Sequence, residues 1–414
     1  MPQLSLRSAF PALSQRNFRL FWLGQCVSLV GTWMQNIGQA WLVLELTKSP
    51  FMLGMVSAIQ FLPMMLFSLF AGPFIDRLPK RRLLLVTQTM LMALAAILAA
   101  ITLAGVAQYW MVLVLALVLG FVNTLDIPTR QAMVIELAGR EHLMNAISLN
   151  SAAFNLARII GPAVAGLLIA AIGIGPCFLL NALSFLGPLA ALLAIDPEPE
   201  PATAREPVSP GNILRSTREG LYYIACRPTL FWPILLLAIV GTFVINYNVV
   251  IPTFARQELA GDATRFGFLM TALGGGSFLA AITLAARSRR GPQVRAQAGG
   301  ALGMSICFAL TGLQHDFWLS CLLLAGTGFM TITFTASCNA WVQMNSDDHM
   351  RGRVMSVYAL VFGGLTPIGS LYAGQLIDAT SASVSMLVSG GIGLLATLAV
   401  AGLVWRRRQV AAPD

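Results

Sequence analysis

The sequence predicts an all-α polytopic membrane protein of about twelve transmembrane helices, arranged as two pseudo-symmetric six-helix halves. Three observations carry this. Of 414 residues, 57% are hydrophobic and only 10% charged, with a mean hydropathy of +0.75, a balance foreign to water-soluble enzymes. Charge-free apolar segments such as Leu83 to Tyr109 and Leu230 to Phe254 exceed the roughly 18 residues that mark a bilayer-crossing helix. A polar stretch rich in Pro and Glu, from Asp196 to Pro201 and on through Pro207 and Pro210, interrupts the apolar text near its midpoint.

The elements follow in order. In residues 1–195 the predicted spans are Phe18 to Leu46, Phe51 to Ile75, Leu83 to Ala104, Gln108 to Arg130, Met144 to Ile172 and Pro176 to Ile195. Residues 196–227 form a linker. Within it Ile213, Thr217, Leu221 and Ile224 recur at helical spacing opposite Arg215, Arg218 and Glu219. This predicts a helix lying on the membrane surface, with an extended solvated linker as the alternative. Residues 228–414 repeat the six-span plan at Pro228 to Phe254, Arg265 to Ala286, Ala298 to Leu313, Phe317 to Ala340, Val354 to Ile377 and Ser383 to Trp405. An offset of about 208 residues places Arg19 on Arg227, Arg81 and Arg82 on Arg289 and Arg290, and Ser148 on Ser356, the weak internal symmetry of secondary transporters.

The net charge of +9 is a topology signal. With the N-terminus inside, only Lys48, Arg256 and Arg265 fall outside and Arg158 falls within a span; the other 22 of 26 Lys and Arg residues lie on the inner side. That asymmetry predicts both termini in the cytoplasm. No basic run is interleaved with aromatics in a soluble segment, so nucleic acid is not an expected partner. Cys26, Cys177, Cys226, Cys307, Cys321 and Cys338 are scattered singly and read as small hydrophobes. The long apolar stretch after the first 17 residues reads as a first span rather than a cleaved leader. No cofactor or metal motif is present, and a monomer is expected.

Polar residues inside spans mark the candidate site. Gln25, Ser28, Thr32, Gln35, Asn36 and Gln39 of span one fall within an arc of about 100°. Such a stripe lines a wet cavity or bonds to neighbouring helices. Thr242 and Asn246 share a face of span seven. Arg158 is the one cation well inside a span, about 18 to 21 Å from the inner helix end, on the face of Ser151, Asn155 and Pro162. It either attracts an anionic or acceptor-rich substrate or serves in a fixed salt bridge or backbone cap. Asp126 stands about 12 Å shallower by the same rise. Of 17 acids, none lies at mid-depth, which leaves Asp126 and Glu45 as the carboxylates available for proton coupling.

The segment Gly72, Asp76, Arg77, Pro79, Lys80, Arg81 and Arg82, in the short loop after span two, resembles the loop signature of the major facilitator superfamily, with Pro79 replacing its second Gly and Lys80 its usual Arg. The resemblance implies a latch between the halves, in which Asp76 meets the start of span eleven near Arg353 and Lys80 or Arg81 pairs with Asp126. In the second half Leu284 replaces the acid, which implies a one-sided latch. In span five Arg158, Gly161, Pro162 and Gly166 resemble the Gly-Pro signature of the superfamily's proton-driven exporters, with Ala157 and Ala165 at two of its Gly positions; plain helix packing explains the same residues. The text around Asn17 to Trp22, Leu125 to Gln131, Asn145 to Asn150 and Arg351 to Ser356 is similar to the branch containing enterobactin exporters and multidrug pumps.

These features predict a secondary transporter that exports a bulky amphipathic compound, a siderophore or drug, by alternating access with proton antiport. An importer or facilitator of a small solute is the alternative. A membrane enzyme or sensor is disfavoured, since no HExxH, phosphate loop or His/Asp cluster is present and little chain is left for an output domain.

Overall fold

The computed structural model describes residues 10–75, 78–195, 210–286 and 294–410, and is helical with no strand among them. The first half holds α1 (Arg16–Thr47), α2 (Pro50–Ile75), α3 (Lys80–Leu103), α4 (Tyr109–Gly139), α5 (Glu141–Ile172), α6 (Gly175–Ser184) and α7 (Leu186–Ala194). Then come α8 (Pro210–Cys226), α9 (Pro228–Phe243), α10 (Tyr247–Gln257), α11 (Ala263–Ala286), α12 (Val294–Gly312), α13 (Phe317–Met344), α14 (Asp348–Gly364), α15 (Thr366–Ala379) and α16 (Ala382–Val410). The pairs α6/α7, α9/α10 and α14/α15 each make one interrupted span, the sixth, seventh and eleventh. Ten spans are long and apolar enough to cross a membrane. The remaining two of the twelve are α1, diluted by its amide stripe, and α12.

Local chemistry sets the boundaries. Gly139, at φ 70°, separates α4 from α5 in a conformation costly to residues with a Cβ. Asp316 caps α13 through the Leu319 N–H at 2.7 Å. Span eleven breaks where Gly363 and Gly364 precede Pro367, whose ring supplies no N–H to the turn before it. Span four continues to Gly139, beyond the Arg130 boundary expected from hydropathy, because the helix outlasts its apolar stretch. Asp126 therefore lies about 20 Å from its helix end and Arg158 about 26 Å, so the two are closer in depth than the sequence indicated.

Basic side chains such as Lys80, Arg227 and Arg353 mark one end of the bundle, here the basic end. The core is distributed unequally between the two ends. At the opposite end a single cluster runs across both halves, from Trp41, Leu44, Leu53 and Phe178 to Val250, Phe254, Phe266 and Ile377. At the basic end Phe18, Phe21, Leu84, Met133, Ala146 and Leu192 form a separate cluster drawn from the first half alone. The halves are thus fused away from the basic end.

Small residues make that seam. A Cβ on Gly267 of α11 would stand 2.5 Å from the Pro162 carbonyl of α5, and one on Gly374 of α15 would stand 2.8 Å from the Pro50 carbonyl. Trp41 stacks on Phe266 with centroids 6.1 Å apart. Arg256 donates to the Leu44 carbonyl at 2.5 Å and Ser49 to Asp378 at 2.7 Å.

The second part of the linker is helical, as the spacing predicted, which removes the extended alternative for α8. Only part of its apolar face meets protein: Ile224 is buried and Gly220 abuts the Arg353 backbone on α14, while Leu221 stays exposed. The Pro-rich stretch 196–209 lies outside the described residues.

Candidate functional site

A cavity of about 380 Å³ lies within the first half. Span one supplies Gln25, Thr32, Gln35 and Asn36, and other helices add Gln60, Asn123, Gln131, Asn150 and Asn181. Five aromatic side chains, Phe21, Trp33, Phe61, Phe154 and Phe185, make up much of the apolar wall. Among the described residues Arg130 is the only charged one in the lining, and no carboxylate faces it.

Three hydrogen-bonded groups hold these polar residues in place. Asp126 is fully buried. Its Oδ1 accepts from Thr87 and Gln88 of α3 at 2.7 Å each, and its Oδ2 lies 2.6 Å from Arg130 Nη2. Arg130 in turn donates to Gln25 Oε1 on α1 at 2.9 Å, so spans one, three and four are joined through one buried charge pair. Asn181 donates to Gln35 at 2.7 Å, and Gln39 to Gln60 at 3.1 Å. Buried amides bonded to each other in this way avoid the cost of stranded polar atoms and still leave donors and acceptors for a ligand.

Of the expected cavity residues, Gln25, Thr32 and Asn36 line it, while Gln39 reaches it only through Gln60. Arg158, Asn155 and Asn246 do not line it. Asn155 donates to the Ser151 carbonyl of its own helix at 2.8 Å. Asn246 sits in the break of span seven, donating to Thr242 O at 2.6 Å and packed on Gly369. The Arg158 guanidinium lies 5.8 Å from the Trp33 ring, behind the wall that Trp33 and Phe154 present, edge to face, to the cavity. Among the described residues it makes no ion pair and no hydrogen bond, so neither the fixed salt bridge nor the backbone cap is present. Across the seam from it Tyr247 bonds to Thr331 at 2.8 Å.

The latch residues divide. Asp76 and Arg77 lie outside the described residues, and Gly72 is in the last turns of α2. Lys80 pairs with Glu136 instead of Asp126, and Arg81 donates to the carbonyls of Leu192 and Leu193 at 2.7 and 3.1 Å. The correction has a simple cause: Arg130 is one turn from Asp126 on the same helix, whereas Lys80 is about 10 Å along α3 from Thr87. Arg353 pairs with Glu219 of α8 at 3.0 Å. The Gly-Pro segment lies on the seam, with Gly161 against Trp33 of span one and Gly166 against Ala263 and Gly267 of span eight.

The single amides on separate helices, Gln60, Asn123 and Asn181, were missed in the sequence reading. Each is a polar residue in an apolar span, which was the signal available.

Twelve spans in two halves fused at one end, with a polar internal cavity in the first half, define a membrane transporter. Residues 7–413 match the profile of the transmembrane secretion effector family, and the chain belongs to that branch of the major facilitator superfamily. It is 24% identical to the staphyloferrin A transporter of Staphylococcus aureus, over 85% of this chain and 87% of the relative. It is 26% identical to the multidrug efflux pump Tap of Mycolicibacterium fortuitum, over 84% and 86%. In fold it is similar to the nucleoside transporter NupG (TM-score 0.71, 11% identity, 94% of this chain and 99% of that one). It is also similar to a bacterial homologue of the lysosomal transporter Spinster in an inward-facing, occupied conformation (TM-score 0.71, 14% identity, 95% and 97%).

Proposed function

We propose that this chain exports a bulky, oxygen-rich amphipathic compound from the cytoplasm by alternating access. The observation that carries the reading is a polar cavity in the first half of a molecule whose halves are fused away from the basic end: amides and aromatic rings surround it, and Arg130 is its charge. Assigning the basic end to the cytoplasm by the positive-inside rule makes this an inward-facing state of an inner-membrane protein. A lining with one guanidinium and no carboxylate favours neutral or anionic ligands over organic cations. The likeness to the efflux pump Tap supports the outward direction, and the likeness to the staphyloferrin A transporter supports a siderophore-like cargo. Among the described residues Asp126 is the one buried carboxylate, and it touches a cavity-lining residue, which makes it the group through which proton antiport would act.

The test is uptake into inverted vesicles under an imposed pH gradient, with hydroxycarboxylate siderophores, macrolides and tetraphenylphosphonium as substrates. Accumulation of a neutral or anionic compound that collapses with the gradient is expected. No accumulation of any of them, or concentrative uptake by intact cells, contradicts export.

A further inference from the structure

A second concavity, of about 580 Å³, lies at the basic end between α8 and α14. Arg215, Arg218, Arg227 and Arg353 line it, against Glu219 as the only acid in its wall. Glu219 is shared by two of them, at 2.9 Å from Arg215 and 3.0 Å from Arg353. Arg227 is held by Asp347 at 2.8 and 3.1 Å. Arg218 has no partner among the described residues. The cleft therefore keeps a surplus of positive charge, and one guanidinium is free to bind.

Its position narrows the ligand. The helices Pro228–Gln257 and Asp348–Ala379, long and apolar enough to cross a membrane, both start beside it, so a cleft of arginines at their first turns matches the level of lipid headgroups. Tyr222 lines it with 73% of its surface exposed, and Leu221 beside it is 51% exposed. Arginines to take a phosphate, an aromatic ring at the interface and an exposed aliphatic flank are the recognition chemistry of an anionic phospholipid. A free phosphate would use the arginines and leave Tyr222 and Leu221 without a role.

We infer that this cleft is a binding site for the headgroup of an anionic phospholipid, which bridges the linker helix to the first turns of span eleven. The site is separate from the transport cavity and does not depend on the export reading. The bound headgroup joins Arg215 and Arg218 of α8 to Arg353 of α14, the helix on which Gly220 already rests.

Native mass spectrometry and thermal unfolding of the full-length protein in detergent test it, with phosphatidylglycerol, phosphatidylcholine and inorganic phosphate as probes. Phosphatidylglycerol is expected to be retained and to raise the melting temperature; phosphatidylcholine and inorganic phosphate are not. Arg218→Gln removes no contact described here and should weaken retention severalfold. Adding Arg215→Gln should make the loss roughly tenfold or more. Arg351→Gln, a basic-end change outside the cleft, should leave retention intact. Equal retention of both lipids, unchanged retention in the double variant, or equal stabilisation by inorganic phosphate would overturn the assignment.

Discussion

Arg130 Nη2 lies 2.6 Å from Asp126 Oδ2, one helical turn away on span four, and the same guanidinium reaches across to Gln25 of span one. The cation of this pair faces the cavity and the anion is sealed behind it. A ligand in the proposed cavity would thus meet a guanidinium whose charge is already balanced and which is held in place without a carboxylate in the lining.

Removing one partner of that pair should cost more than removing both. Asp126→Asn strands a cation and Arg130→Gln a fully buried carboxylate, and either is expected to destabilise the protein by about 3 kcal/mol. The double variant should recover part of the loss. Thermal unfolding of the three variants in one detergent checks this, and additive losses would show that the two residues act separately.

Arg158 should behave in the opposite way. Its guanidinium is placed over Trp33 with no carboxylate among the described residues, a costly arrangement in a membrane interior. Because the guanidinium stands behind the cavity wall, Arg158→Met is expected to unfold at the same or a higher temperature and to leave transport of an anionic substrate largely unchanged. A marked loss of transport with unchanged stability would instead place Arg158 in the substrate path.

The seam predicts a conformational bias. A side chain at Gly267 collides with the Pro162 carbonyl, whereas Gly241 has open space around it. Gly267→Val should loosen the fused end and speed thiol labelling of Ser49→Cys by about tenfold, a shift of about 1.4 kcal/mol between the two states. Gly241→Ala should leave the labelling rate unchanged. Equal rates in both would mean that the seam does not control access.

The Arg227–Asp347 tie between the starts of spans seven and eleven should be insensitive to pH in the physiological range. Hydrogen bonds from Arg227, with a further contribution from the Tyr223 hydroxyl, hold the Asp347 carboxyl below the usual carboxylate range. A group lowered on folding contributes stability above its unfolded pKa and loses it as pH falls through the folded one. The difference in melting temperature between wild type and Asp347→Asn should therefore stay flat from pH 8 to about pH 5 and shrink below about pH 4. A difference that changes between pH 8 and pH 6 would contradict this.

The spans and the helical linker segment were legible because run length and spacing are local properties of the chain. So was the polar face of α1, since its amides share one helix. Asp126's partner was not, because the latch signature points to residues on other helices, while the contact formed is with Arg130 on its own helix. The cavity's location was hidden for a related reason. Its remaining amides come one or two at a time from spans two, four, five and six, and only helix packing brings them together. Arg158 was legible as a cation inside a span, but the rotation of span five, which sets it behind Trp33, depends on how Gly161 and Gly166 pack against spans one and eight. The break in span seven at Asn246 has no proline to announce it.

Alternating access requires the two ends to move in opposite senses, and distances between spin labels read this directly. One pair would sit at Val106 and Leu313 at the fused end, the other at Met144 and Met344 at the basic end, all exposed positions. Double electron–electron resonance in liposomes, with an exported compound and an inward pH gradient, should lengthen the first distance and shorten the second in the same molecules. Distances that stay fixed at both ends, or that lengthen together, would contradict a transporter in which the fused seam opens as the basic end closes.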